Sequence, residues 1–245
     1  MIEIVEQPED HSNVVHYLPF QTVIKADHST TKVRIVYDAS SKTVLAIYSL
    51  NDCLWKGPPL LNDLTGILLR TRSYEALLLG DIEKAFLQIE IRPEDRDAVR
   101  FFWLTNPKNP TEPFRTYRFT RVAFGLTSSP SHLAATIQHH LQKTDSPLAK
   151  EVNKNLYVDN VILGLNNSTE VSGIVPKLKA LFKDAGMNLR EFNSNNKEAL
   201  KDATAEDLAK SKAPKVLGLR WLMDQTNTKS TCQPIEQPNS LDAHF

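Results

Sequence analysis

The sequence contains little cysteine. Cys53 and Cys232 are the only two among 245 residues. Neither has a second cysteine or a histidine at the short spacing typical of zinc ligands. Two distant cysteines do not form a disulfide framework either, so the sequence indicates a reducing compartment.

Neither sign of charge predominates, and long apolar runs are lacking. The 29 basic and 29 acidic residues cancel, so a nucleic-acid-binding surface would need local clustering of charge. The N-terminal MIEIVEQPED is acidic where a signal peptide would be basic, and no apolar run reaches the roughly 18 residues of a membrane span. We therefore expect an intracellular protein, cytoplasmic or nuclear, without a membrane partner.

The composition is that of a globular chain. Apolar residues make up 41%, enough for one large domain or two small ones. Residues 1–15 and 226–245 are polar and lack periodicity, so we predict weak order there. The folded part is expected to span residues 16–225.

Two hairpins are predicted in the first half of this part. YLPFQTVIKADHSTTKVRIVYDAS reads as two strands joined by a polar turn at residues 27–31, with Lys32 and Arg34 on a basic face. VRFFWL and RTYRFTRVAFG flank the turn-rich TNPKNPTEP. The later arm of this second hairpin should bring Arg115, Arg118 and Arg121 close together.

Three amphipathic helices are predicted. The first covers residues 60–70, with Pro58 and Pro59 at its start, and the third is PKLKALFKDAG. The second begins at Ser129 and carries an apolar stripe of Leu133, Ile137 and Leu141. His139 and His140 lie beside this stripe, and with no further ligand at metal spacing they are interpreted as partly exposed helix residues.

Two apolar segments are interrupted by acids. In ALLLGDIEKAFLQIEI, Asp81 stands where a buried strand should end, and LYVDNVILG reads as two short strands joined through Asp159 and Asn160. A buried carboxylate costs several kcal/mol unless it is compensated. The pair in LYVDNVILG therefore either marks a sharp turn or faces a cation.

Asp81 and Asp159 could share a metal ion at one rim of a sheet. Two-metal phosphoryl transfer requires carboxylates, and hard oxygen ligands suit Mg²⁺. The alternative from spacing alone is an unrelated α+β domain whose acidic turns are only turns.

Several motifs in a fixed order resemble a known family. KVRIVYDAS, LGDIEKAFLQI, FGLTSSP, LYVDN, GMNLREFNS and KVLGLRW are similar to segments of the reverse transcriptase domain of retrotransposons, most closely the BEL/Pao type of LTR element. The resemblance covers roughly residues 16–225. It implies an α+β, reverse-transcriptase-like polymerase fold with palm and fingers, and a thumb that is absent or rudimentary.

The resemblance also assigns the acids. Asp81 matches the first metal-binding Asp, with Ile82 offering its backbone carbonyl to the same metal. Asp159 matches the first acid of the family's Tyr-x-Asp-Asp turn. Asn160 stands where the family has a second Asp, which predicts an impaired enzyme.

The family match implies five nucleotide-binding residues, and three of them have a simpler interpretation. Arg34, assisted by Lys25, would grip the nucleotide phosphates, although an exposed hairpin Arg is more often only solvated. Phe86 would crowd the sugar 2′-carbon, or it is a core aromatic. Phe124 and Gly125 would lie beneath the nucleotide, where Gly125 alone reads as a turn residue.

The expected function is RNA-directed DNA polymerisation on a primer 3′-hydroxyl with two Mg²⁺ ions, for which Mn²⁺ could substitute. The implied partners are an RNA or DNA template with its primer, deoxynucleotide triphosphates and other segments of a Pol polyprotein. The alternative is a transposon remnant that grips nucleic acid without turnover.

Overall fold

The computed structural model describes residues 1–6, 14–24, 33–43, 47–106, 108–166 and 171–210, and the backbone of 215–216, 219–221 and 232–233. The chain divides into two compact units. The first contains Met1–Leu60 and Lys84–Thr136, and the second contains Leu61–Glu83 and Ile137–Phe245. Within the described ranges, no helix is both long and apolar enough to cross a membrane.

The first unit holds both predicted hairpins, and both are confirmed. Strands β2 (Phe20–Ile24) and β3 (Val33–Tyr37) pair antiparallel, and the residues that join them, 25–32, lie outside the described residues. In the second sheet, β1 (Ile2–Ile4), β6 (Phe114–Phe119) and β5 (Arg100–Leu104) lie side by side in that order. Helix α1 (Leu50–Cys53) and two 3-10 turns, Ala85–Gln88 and Pro93–Val99, complete this unit.

Aromatic and aliphatic side chains form the core of the first unit. The ring of Tyr37 meets those of Phe101 and Phe119 edge to face, with centroids 5.0 and 4.9 Å apart. Buried aliphatic side chains surround these rings, namely Leu18, Ala39, Leu50, Val99, Val122, Ala123 and Leu126. Strand β3 is therefore fixed to the core at its end, Tyr37.

No element was predicted before residue 16, yet Ile2–Ile4 forms strand β1. It pairs with the edge of β6, and the Glu3 carboxylate accepts hydrogen bonds from Arg96 and Arg118. The pairing satisfies backbone groups at an otherwise open sheet edge. A three-residue strand whose partner is more than 110 residues away leaves too short a pattern for sequence analysis to detect.

Two arginines of the predicted basic cluster form ion pairs with different acids. Arg118 donates to Asp97 at 2.6 Å as well as to Glu3, and Arg121 pairs with Glu90 at 3.1 Å. Asp97 also accepts a hydrogen bond from Arg100, which is almost wholly buried. Arg118 and Arg121 are therefore held by acids of their own unit.

Replacing Asp97 with asparagine is expected to lower the free energy of unfolding at pH 7 by about 3 kcal/mol, because two guanidinium groups then lose their shared carboxylate. Burial alone would raise the pKa of Asp97, but hydrogen bonds from Arg100 and Arg118 outweigh it and hold the pKa below its usual range. The contribution of Asp97 is thus present above the unfolded-state pKa and is lost as the pH falls through the folded-state pKa. Denaturant titrations at several pH values test this.

The exposed pair Lys201–Glu198 provides the control. Glu198→Gln should change stability by less than about 0.5 kcal/mol. An Asp97→Asn protein as stable as the Glu198→Gln protein would show that the Asp97 network adds nothing to the fold.

The second unit is built on a four-stranded antiparallel sheet in the order β7-β8-β4-β9. Its strands are β4 (Ala76–Ile82), β7 (Leu156–Tyr157), β8 (Asn160–Leu165) and β9 (Leu189–Ser194). Helices α2 (Leu64–Thr71) and α4 (Pro147–Lys154) pack against β8, and α5 (Ile174–Lys183) packs against β9. Every β4 residue from Ala76 to Gly80 is buried, in agreement with a strand covered on both faces.

The predicted start of helix α2 is wrong. The helix begins at Leu64, not at Pro58 or Pro59, because the Asp63 carboxylate accepts hydrogen bonds from the backbone amides of Thr65 and Gly66. An Asp N-cap satisfies amides that a proline start leaves unpaired.

Helix α3 (Ser129–Thr144) confirms the predicted stripe, since Leu133, Ile137 and Leu141 are all buried. His139 is exposed and His140 is half-buried, as predicted. Beyond residue 210, three short strands pair as β10 (Lys215–Val216), β11 (Leu219–Trp221) and β12 (Cys232–Gln233). The pair β10–β11 confirms the last predicted strand pair, whereas β12 falls in the tail where no element was predicted.

Candidate active site

Asp81 lies at the end of the buried strand β4, as predicted. It is half-buried, while the residues before it are fully buried. On one side Asp81 is in register with Asn160 of β8, and on the other with Arg190 of β9. A β-bulge interrupts the β4–β9 pairing between Leu79 and Asp81, and bulges of this kind re-aim side chains next to functional sites.

The turn between β7 and β8 brings Asp159 to the same strand end. The turn consists of Val158 and Asp159, one residue earlier than predicted, because Asn160 already belongs to β8. The backbone N–H of Ile82 donates to the carbonyl of Asp159 at 2.9 Å. Val158 has a φ of 55°, a strained conformation that a β-branched residue seldom adopts.

Burial makes both carboxylates weaker acids, and nearby negative charge adds to this effect at Asp81. Burial, with the nearby charges of Asp159 and Glu191, raises the pKa of Asp81 to about 7. Burial also raises the pKa of Asp159, although hydrogen bonds from its own backbone and from Asn160 oppose the shift. Two acids that resist ionisation together at a strand end would be stabilised by a bound cation.

Asn160 contacts the neighbouring acid directly. Its Nδ2 donates a hydrogen bond of 2.7 Å to Oδ1 of Asp159. The amide therefore acts as a donor to the carboxylate and adds no charge of its own.

Other charged residues near Asp81 received no role from the sequence. Arg190 opposes the rise in the pKa of Asp81, and it pairs with Glu83 at 3.4 Å. Glu191 follows in the bulge with a φ of 53°. The stretch LREF carries no signal that would place these side chains beside Asp81, because that placement depends on the register between strands about 110 residues apart.

The donor set suits one hard divalent cation. Asp81 and Asp159 could offer carboxylates and Ile82 a backbone carbonyl to such an ion, and these are the ligand types that Mg²⁺ prefers. Within the described residues, no group of three or more His, Cys, Asp or Glu side chains could hold a metal ion.

The first unit carries the predicted nucleotide-binding residues. Arg34 is exposed on β3, opposite Val23, while Lys25 lies outside the described residues. The ring of Phe86 is half-buried and meets that of Phe124 edge to face, with centroids 5.3 Å apart. Gly125 has a φ of 93°, and a Cβ there would lie 2.8 Å from the Tyr37 carbonyl oxygen. Glycine is required by both the backbone angle and this close approach.

Comparison with known proteins identifies the family. A family model described as reverse transcriptase (RNA-dependent DNA polymerase) matches residues 16–219. The match covers most of the sequence, so the chain belongs to the reverse transcriptase family. No curated protein matches the sequence.

Solved structures of prototype foamy virus protease–reverse transcriptase share the fold. The native crystal structure is 19% identical over 74% of this chain and 21% of that one, with a TM-score of 0.53. Foamy viral protease–reverse transcriptase in complex with an RNA/DNA hybrid is 17% identical over 86% and 23% of the two chains, with a TM-score of 0.56. A complex with double-stranded DNA gives 17% identity over 84% and 30%, also at 0.56. The chain spans less than a third of each of these proteins.

Proposed function

We propose that this chain is the polymerase part of a BEL/Pao-type retrotransposon Pol polyprotein and adds deoxynucleotides to a primer 3′-hydroxyl on an RNA template. The observation that carries the proposal is the pair of half-buried acids, Asp81 and Asp159, which meet at one end of the β7-β8-β4-β9 sheet. The pairing of Asp81 with Asn160 and the Ile82–Asp159 hydrogen bond both support it. The second unit would be the palm and the first the fingers.

Asp81, Asp159 and the Ile82 carbonyl would hold the divalent ion, Mg²⁺ or Mn²⁺, with a second Mg²⁺ expected in the reaction. When bound, the ions would stabilise the negative charge on the attacking and leaving oxygens of nucleotidyl transfer. The strained turn at Val158 and the bulge opposite Asp81 aim the two carboxylates.

The first unit would bind the nucleotide. Arg34 and Lys25 would grip its phosphates, Phe86 would exclude a 2′-hydroxyl, and Phe124 with Gly125 would lie beneath it. The other partners would be an RNA or DNA template with its primer and further segments of the polyprotein. Complexes of the foamy viral relatives with an RNA/DNA hybrid and with double-stranded DNA are consistent with such partners.

A second candidate is a nucleic-acid-binding module without turnover. One observation favours it, namely that Asn160 donates its amide to Asp159 at the place of a second acid. Such a module would hold a primer–template duplex through charge on the backbone and would add no nucleotide.

Extension of a labelled DNA primer on an RNA template separates the two candidates when duplex binding is measured in the same samples by fluorescence anisotropy. The polymerase proposal expects Mg²⁺-dependent extension by the natural sequence, slow because of Asn160. Duplex binding with no extension at any Mg²⁺ or Mn²⁺ concentration would favour the module. Neither binding nor extension would overturn both.

Shortening Phe86 to valine is expected to admit ribonucleotides, because the ring that would crowd the sugar 2′-carbon is removed. The ratio of deoxynucleotide to ribonucleotide incorporation should fall about tenfold or more, equivalent to roughly 1.4 kcal/mol of lost discrimination. Single-nucleotide addition kinetics with each substrate measure this ratio.

Phe114→Val is the matched control, since Phe114 is an exposed aromatic of the same unit. Its ratio should equal that of the natural protein. A folded Phe86→Val protein with an unchanged ratio of deoxynucleotide to ribonucleotide incorporation would show that Phe86 only packs against its neighbours.

A further inference from the structure

Three segments of the first unit meet at the side chain of Asn51 in helix α1. Its Nδ2 donates to the carbonyl of Gly125 and to Oγ of Ser40, each at 2.9 Å. Its Oδ1 accepts the backbone N–H of Thr127 at 2.8 Å. One amide thus joins the turn that follows β3 to both ends of a short loop, residues 125–127.

This loop is also held against the end of β3. The positive φ of Gly125 lets its backbone approach the Tyr37 carbonyl, with no room for a Cβ. On the other side of Phe124, Oγ of the buried Ser129 donates to the carbonyl of Ala123 at 3.0 Å. The backbone on both sides of Phe124 is therefore fixed by hydrogen bonds.

The ring of Phe124 remains largely in solvent although its backbone is fixed. It is 55% exposed, so burial alone gives little reason for a phenylalanine here. Its contact with Phe86 has ring planes at 84°, the favourable edge-to-face geometry. Phe86 is itself only half-buried and is packed against the core of this unit.

We propose that Asn51 and Phe124 are positioning residues for sugar selection: Asn51 fixes the loop, the loop sets the ring of Phe124, and that ring fixes Phe86. The inference rests on the proposed function, in which Phe86 faces the nucleotide sugar. Sugar selection would then depend on a series of contacts that begins in helix α1, and not on the Phe86 ring alone.

The hydrogen-bond pattern of Asn51 needs both halves of an amide. A carboxylate of the same shape can still accept from Thr127, but it cannot donate to Gly125 or Ser40, and it would repel the Gly125 carbonyl. Asn51→Asp therefore loosens the loop with almost no change in side-chain volume. Phe124→Leu removes the ring contact at an exposed position, where the fold should tolerate it.

The test is equilibrium binding of a fluorescent deoxynucleotide triphosphate and its ribonucleotide counterpart to the protein with a chain-terminated primer on an RNA template. Asn51→Asp and Phe124→Leu should each lower the preference for the deoxynucleotide about tenfold, the scale of one misplaced contact. Asn106→Asp is the matched control, since Asn106 makes comparable loop hydrogen bonds in the β5–β6 turn. Its preference should equal that of the natural protein.

A second measurement reports the environment of the Phe86 ring in the protein without bound nucleotide. With 4-fluorophenylalanine in place of phenylalanine, the fluorine NMR signal of Phe86 should shift or broaden in Asn51→Asp and stay unchanged in Asn106→Asp. An unchanged Phe86 signal in Asn51→Asp, or an unchanged sugar preference in either variant, would overturn the inference while leaving the proposed function intact. A natural protein that binds neither nucleotide would overturn the selectivity role together with the proposed function.

Discussion

Asp81→Asn is expected to abolish primer extension and leave the fold intact. Asp81 is half-buried near the end of β4, between the buried residues Gly80 and Ile82, and an amide has nearly the shape of a carboxylate, so it should fit the same space. It removes one of the two charges that would hold the metal. Since each 1.36 kcal/mol of lost transition-state stabilisation is about tenfold in rate, loss of a metal ligand should take extension below detection.

The same change should make the metal-free protein more stable at neutral pH. Burial and the neighbouring acids raise the pKa of Asp81 to about 7, so the folded state holds its proton more tightly than the unfolded state does. Stability therefore falls as the pH rises from about 4 towards 7, and a neutral amide avoids this loss. A gain of about 1 kcal/mol is expected, since the side chain is partly solvated.

Asp184→Asn, at an exposed position after α5 in the same unit, is the control and should leave both extension and stability unchanged. Extension rates and denaturant midpoints of the three proteins are the measurements. Extension by Asp81→Asn at the rate of the natural protein would rule Asp81 out as a metal ligand.

Asn160→Asp is expected to raise metal-dependent extension at least tenfold. Asn160 is the first residue of β8, directly after the turn, and its neutral amide donates to Asp159. A unit charge about 4 Å from a cation is worth on the order of 4 kcal/mol at an effective dielectric near 20. Solvation offsets part of this, and half of it still corresponds to about a 30-fold change in rate.

The expected signature is a steeper response to Mg²⁺ as well as a faster rate. Asn109→Asp adds the same charge in the β5–β6 turn and controls for a general effect of net charge. Extension on an RNA template across a Mg²⁺ titration compares the three proteins. Equal rates and equal metal dependence for Asn160→Asp and the natural protein would show that the side chain at position 160 does not interact with the metal ion.

Local pattern was enough to predict much of the fold. The stripe of Leu133, Ile137 and Leu141 follows the helical period, and α3 buries all three. Both hairpins follow from turn residues between alternating strands. The start of α2 was wrong because two prolines were given more weight than the capping carboxylate of Asp63.

The candidate site was only partly predictable. Asp81 and Asp159 each interrupt an apolar run, so sequence could place both at strand ends. That the two acids lie close together depends on the β4–β8 register, and the presence of Arg190 and Glu191 near Asp81 depends on the β4–β9 register. No local pattern specifies either register. The role of Asn51 was hidden for the same reason, since its partner Gly125 is 74 residues away.

Paramagnetic broadening by Mn²⁺ tests most directly whether Asp81 and Asp159 hold a divalent cation together, and it does so without relying on turnover. In the natural protein, Mn²⁺ should selectively broaden the backbone amide NMR signals of residues 80–83 and 158–161. In the Asp81→Asn/Asp159→Asn double variant those signals should stay sharp at the same Mn²⁺ concentration. Absence of selective broadening in the natural protein, or its persistence in the double variant, would contradict the metal site on which the proposed polymerase activity depends.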